Sequence, residues 1–148
     1  MRTSIKLLTF AGALCAGLLT LQSADKKHLG GPRGGRLLEK TDPQGEFYVE
    51  KDRTVTITFY DAALKPVPVR GQTVTVIADA KAGKARVEFE RKGDVLVSQG
   101  KLPEGNGYGV VVQFKQTATA KPQNFRFKLE TQSCTTCKRA EYACICDE

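Results

Sequence analysis

The chain has 148 residues, 23 basic and 16 acidic side chains, a formal charge of +7, no tryptophan and a single histidine, His28. That length accommodates one ordinary domain. Basic and acidic residues are interspersed, which describes a mixed solvated surface and not the concentrated basic face with stacking aromatics of a nucleic-acid binder. One histidine removes the commonest general base from most hydrolytic mechanisms, and neither a nucleophile–base pair nor a glycine-rich phosphate loop stands out, so a non-enzymatic protein is expected.

Residues 1–23 read as a secretory signal peptide. Arg2 and Lys6 give a positive start, Leu7 to Leu21 carries no charge, and the small residues Ser23 and Ala24 precede the first acid, Asp25. Positive start, apolar run and small-residue exit is the order of an export signal. The apolar run is about 15 residues, shorter than the roughly 20 a membrane-spanning helix needs. An exported, periplasmic or secreted protein is expected, with no stable membrane insertion after cleavage. Cys15 follows Leu14, where a lipoprotein signal needs a small side chain, so Cys15 reads as apolar filler. Removing Arg2 and Lys6 takes the basic count from 23 to 21 against 16 acids, a net charge of +5.

Residues 24–36 contain "DKKHLGGPRGG", whose glycines and proline support neither a helix nor a central strand. A flexible leader or a wrapping loop is expected there. His28 lies in it and reads as unremarkable; a Lys-Lys-His site for copper(II) would need cleavage directly before Lys26.

Residues 37–131 carry a period of two. Val55, Ile57 and Phe59 alternate with threonines, which places them on one face of a strand. The same pattern runs through Phe47 and Val49, Val74 and Val76, Val87 and Phe89, and Val95 and Val97. It continues in Tyr108, Val110, Val112 and Phe114, and in Phe125, Phe127 and Leu129. Turn residues separate the runs, and Pro66 and Pro68 confine "LKPVPVRG" to a loop or a sheet edge. Seven or eight short strands at this spacing predict a small antiparallel β-sandwich, immunoglobulin-like or similar. Glu88 and Glu90 share one exposed strand face and read as surface charge.

Residues 132–148 differ in kind. "QSCTTCKRAEYACICDE" holds every cysteine downstream of the signal: Cys134 and Cys137 as C-x-x-C, then Cys144 and Cys146 as C-x-C. Two such pairs joined by a short reversal can supply four thiolates to one soft ion, zinc or copper(I). Lys138 and Arg139 would offset the negative charge of such a site and lower the thiol pKa values. In an oxidising compartment an even cysteine count also reads as disulfides. Cys134–Cys146 with Cys137–Cys144, or the crossed pairing, would then staple the tail. A redox-active C-x-x-C needs a helix N-terminus that a terminal tail does not offer. Metal and disulfide both stand on the sequence.

The stretch "GGPRGGRLLE", followed by "EFYVEKDRTVTITFYDAALKPVPV", resembles small exported bacterial proteins found beside heavy-metal efflux systems. The matching residues are Gly34, Gly35, Arg36, Leu37, Leu38 and Glu39, then Asp61, Lys65, Pro66 and Val67. The likeness covers about a third of the chain after the signal. It implies metal handling, with an efflux or envelope protein as partner, and adds no ligand, because the cysteine cluster is no part of that pattern. The sequence thus suggests an exported metal-binding accessory protein that buffers or hands off a soft ion. The rival is a structural or protein-interaction module with a disulfide-stapled tail.

Overall fold

The computed structural model describes residues 29–146; the segment read as a signal peptide, with Cys15, and His28 lie outside them. The described chain is all-β with a cysteine-rich C-terminal segment. Its nine strands are β1 (Arg36–Leu38), β2 (Gln44–Val49), β3 (Val55–Tyr60), β4 (Pro66–Val67), β5 (Thr73–Ala80), β6 (Gly83–Lys92), β7 (Val95–Ser98), β8 (Tyr108–Lys115) and β9 (Gln123–Leu129). The count exceeds the expected seven or eight because β1 and β4 are three and two residues long, too short to show a period. No described helix is long and apolar enough to cross a membrane.

All pairings are antiparallel, in the order β1-β2-β3-β7-β6-β5-β8-β9, with β4 on β3. The ten-residue β6 serves both halves. Gly83 to Glu88 pair with β5, and Phe89 to Lys92 pair with β7. The sheet therefore folds over on β6 into a sandwich that is nearly a closed barrel. Phe47, Val55, Ile57, Phe59, Val76, Val110, Val112 and Phe114 fill the interior, each 2 % exposed or less. Burying a side chain of that size contributes roughly 1.5–3 kcal/mol.

Two strands depart from the sequence pattern. In β7 the inward residues are Leu96 and Ser98, while Val95 and Val97 are only half-buried. An unbroken apolar triplet gives no phase, and hydrogen bonding decides it: Ser98 Oγ accepts the Val55 N–H at 2.8 Å and donates to the Gly100 carbonyl at 2.6 Å. In β9, Phe125 and Phe127 are half-buried because β9 lies at one end of the strand order. Glu88 and Glu90 are exposed.

The outer face of β2 is covered too. Glu46 is fully buried there. Its carboxylate accepts the Gly35 N–H at 2.7 Å and the Arg33 N–H at 3.2 Å. A buried carboxylate requires such donors, and the glycine-rich loop supplies them. Gly31 makes the close approach possible, because a Cβ there would coincide with the Glu46 carboxyl group. Gly34 turns the loop with φ +98°, a region in which glycine is favoured. Residues 29–35 thus form a loop that wraps the outer face. Tyr60 lies against the same carboxylate; burial, then Glu46, pushes its hydroxyl up to about 12.

Candidate metal centre

Strands β1 and β9 are the two ends of the order, and the cysteine segment fills the seam between them. A single 3-10 turn, Glu141–Ala143, packs on both strands. Tyr142 donates its N–H to the Glu130 carbonyl at 3.0 Å, just beyond β9. The Arg36 guanidinium of β1 reaches the Tyr142 carbonyl at 3.5 Å. The Tyr142 ring stacks on Phe127 of β9 at 6.2 Å and meets Phe47 of β2 edge-on at 5.9 Å. Its hydroxyl accepts the Val49 N–H at 3.0 Å, and burial drives that hydroxyl up to about 12. Tyr142 and Ala143, at 4 % and 0 % exposure, belong to the main hydrophobic core. The segment is therefore seated in the β-domain and does not trail from it.

Tyr142 fixes where the cysteines stand. Upstream, Ser133 and Ala140 form an isolated antiparallel bridge. Within it the Cys134 N–H reaches the Arg139 carbonyl at 2.7 Å, and the Lys138 N–H reaches the Cys134 carbonyl at 3.1 Å. The C-x-x-C pair thus occupies a tight hairpin tip, which Lys138 closes at φ +61°. Downstream, the 3-10 turn reverses the chain; its amides at Ala143 and Cys144 bond back to Ala140 and Glu141. Cys144 and Cys146 then face the hairpin tip.

The outcome is a compact sulfur cluster. Cys134, Cys137, Cys144 and Cys146 present Sγ atoms that all lie within 4.8 Å of one another. The Cys134–Cys144, Cys137–Cys144 and Cys134–Cys146 separations are 3.3, 3.7 and 3.8 Å. No two of these sulfurs are bonded. A tetrahedral zinc with Zn–S near 2.3 Å has sulfur–sulfur edges of about 3.8 Å, so the arrangement is compatible with one tetrahedral ion. Cys134 is buried and the other three are half-buried.

The local electrostatics divide the four thiols into two pairs. The Ile145 and Arg139 backbone amides point at Cys137 and pull its thiol down to about 6. The Cys137 and Thr136 amides lower Cys134 in the same way. The remaining two thiols move the other way. Cys144 is also approached by the Cys146 amide, which lowers it, but the Cys134 thiol, burial and the other thiols outweigh that amide and push it up to about 12. Cys146 is raised, chiefly by Cys137. Four mutually close sulfurs split in this way because each negative charge disfavours the next.

The charges of Lys138 and Arg139 do not supply the thiol shift expected of them. The Cys137 shift comes from backbone amides and not from these cations. Lys138 Nζ bonds the Thr135 carbonyl at 2.7 Å. The Arg139 guanidinium bonds the Gly31 carbonyl at 3.0 Å and lies 3.5 Å from that of Gly35. Arg139 therefore latches the hairpin to the loop that Glu46 holds. Sequence reasoning found the four cysteines, gave Arg139 a role other than this latch, and missed Tyr142 and Glu46. The one available signal was the tyrosine of "AEYAC", a lone large aromatic in a segment otherwise poor in apolar residues.

No family model matches the chain, and no characterised protein or solved structure gives a significant match. The class that fold and site define is thus an all-β sandwich whose seam carries a four-cysteine cluster able to accept a metal ion.

Proposed function

We propose that the protein is an exported metal-binding accessory protein whose four C-terminal cysteines hold one zinc ion. The observation that carries this reading is the close approach of four unbonded sulfurs, all within 4.8 Å of one another and 3.3 to 3.8 Å apart in three of the pairs. Four thiolates in a tetrahedron suit zinc, whereas copper(I) is satisfied by two or three of them. The sulfurs would supply all four ligands, leaving no position for substrate, so a Lewis-acid catalytic role is not part of the proposal. The half-exposure of Cys137, Cys144 and Cys146 leaves a route for exchange, which fits buffering or hand-off. Export rests on the N-terminal charge and hydropathy pattern. A partner in a metal-efflux or envelope system rests on the resemblance of the "GGRLLE" and "DAALKPV" segments.

Cobalt(II) substitution tests the centre. The reduced protein is expected to take up one cobalt, with the intense sulfur-to-metal absorption and the visible bands of a tetrahedral thiolate site, and zinc should bleach them. A weak octahedral spectrum, or uptake unchanged in Cys134→Ser, would overturn the assignment.

A second reading has its own observation. The Cys134–Cys146 and Cys137–Cys144 sulfurs already face each other at 3.8 and 3.7 Å, and an exporting cell offers oxidants. In this reading the sandwich is a protein-interaction module and the segment is stapled by two disulfides. Reductant would then loosen the segment and chelators would leave it unchanged.

A further inference from the structure

Beside the cysteine hairpin an open cleft of about 530 Å³, with no cysteine in its lining, lies where three segments meet. These are the wrapping loop, the β2–β3 turn and the hairpin itself. Five cations line it, Arg33, Lys51, Arg53, Lys138 and Arg139, against one carboxylate, Glu50. We propose that this cleft is a binding site for a small oxyanion carrying at least two negative charges, of the phosphate or dicarboxylate class.

The imbalance is built into the backbone layout. Arg53 stands in the left-handed region at φ +70° and is pinned by the Leu102, Pro103 and Gly105 carbonyls and the Tyr108 hydroxyl. Arg139 is pinned by the Gly31 carbonyl. Neutral carbonyls hold these guanidinium groups in place without cancelling their charge. Arg33 lies 4.4 Å above the Tyr48 ring and shares Glu50 at 3.1 Å. Glu50 also accepts the Thr56 hydroxyl at 2.7 Å, which orients its carboxylate against Arg33. Among the described residues, neither Lys51 nor Lys138 is in an ion pair. Ser133 and Thr131 on the wall add hydroxyl groups.

Five cations against one carboxylate around one concavity focus the field within it. Guanidinium forks match the paired oxygens of carboxylate and phosphate. The volume lies in the range of small-ligand sites and suits a compact anion. Arg33, Lys51 and Arg53 stand outside the cysteine hairpin, and the Gly31 carbonyl places Arg139, so the cleft is built on contacts other than those among the sulfurs.

The test uses the mature protein in low-chloride buffer, titrated by calorimetry with inorganic phosphate, succinate and a glutamate-rich peptide. Amide NMR shifts locate the site. Phosphate or succinate should bind saturably, moving the amides of Lys51, Arg53 and Ser133. Lys51→Glu, an exposed turn position, should weaken binding by tenfold or more. Lys121→Glu, the same charge change on a remote exposed loop, should weaken it less than twofold. Binding of the peptide with neither small anion would overturn the proposal and assign the cleft to a protein partner. Equal losses in Lys51→Glu and Lys121→Glu, or shifts spread over the whole surface, would also overturn it. Repeating the titration on metal-free protein separates this inference from the zinc proposal, because the anion should bind in either state.

Discussion

Replacing Tyr142 probes how the cysteine segment is joined to the domain. The ring is 4 % exposed and packs against Phe47 and Phe127, and its hydroxyl takes the Val49 N–H. Tyr142→Ala removes all of this. Truncating a buried aromatic costs about 3–5 kcal/mol. Tyr142→Phe keeps both ring contacts and strands only the Val49 amide, at about 1 kcal/mol. For a domain of this size each kcal/mol moves Tm by roughly 4 °C, so falls of about 4 °C for the phenylalanine variant and about 12–20 °C for the alanine variant are expected. The assay is thermal melting of the reduced, metal-free protein by circular dichroism. Zinc affinity should fall by about tenfold in Tyr142→Ala, equivalent to some 1.4 kcal/mol, because the four sulfurs are no longer gathered in advance. If Tyr142→Ala melts within about 4 °C of the parent and binds zinc unchanged, the segment does not plug the seam between β1 and β9, and the reasoning fails.

The other predictions follow from single contacts. In reduced metal-free protein at pH 7, Cys137, held near 6, should be the first thiol alkylated by iodoacetamide, and Cys144, near 12, the last. The order is read by peptide mass spectrometry, and lowering the pH below 6 should slow Cys137 as its thiolate is protonated. Gly31→Ala should lower stability by about 1–3 kcal/mol in urea unfolding, because its methyl group competes with the Glu46 carboxylate for the same space; an unchanged midpoint would show that the loop is not clamped. Under reducing conditions EDTA should lower the Tm of zinc-loaded protein and leave that of Cys134→Ser unaffected.

How far the sequence carried depended on whether a residue's environment was local. Strand alternation identified Val55, Ile57 and Phe59 and the Tyr108 to Phe114 run as core, because a half-buried strand writes its exposure into its own order. It failed at Val95-Leu96-Val97, where apolar residues on both faces erase the phase and the partner of Ser98, Val55 on another strand, decides. Glu46 could not be read as buried, since its partners are backbone amides of a loop more than ten residues upstream. The four cysteines and the short reversal that gathers them were legible because their spacing is local, but the anchoring of the cluster to the domain was not. It needs the seam between β1 and β9, with Tyr142 held by strands roughly 15 and 95 residues away in sequence.

Native mass spectrometry of the protein recovered from its producing cell without added reductant, with thiols counted before and after chelation, tests the central claim most directly. The account predicts one zinc per chain, no disulfide, and four thiols that become alkylatable together once EDTA removes the ion. A metal-free chain four hydrogens lighter, with two disulfides among Cys134, Cys137, Cys144 and Cys146, would contradict it.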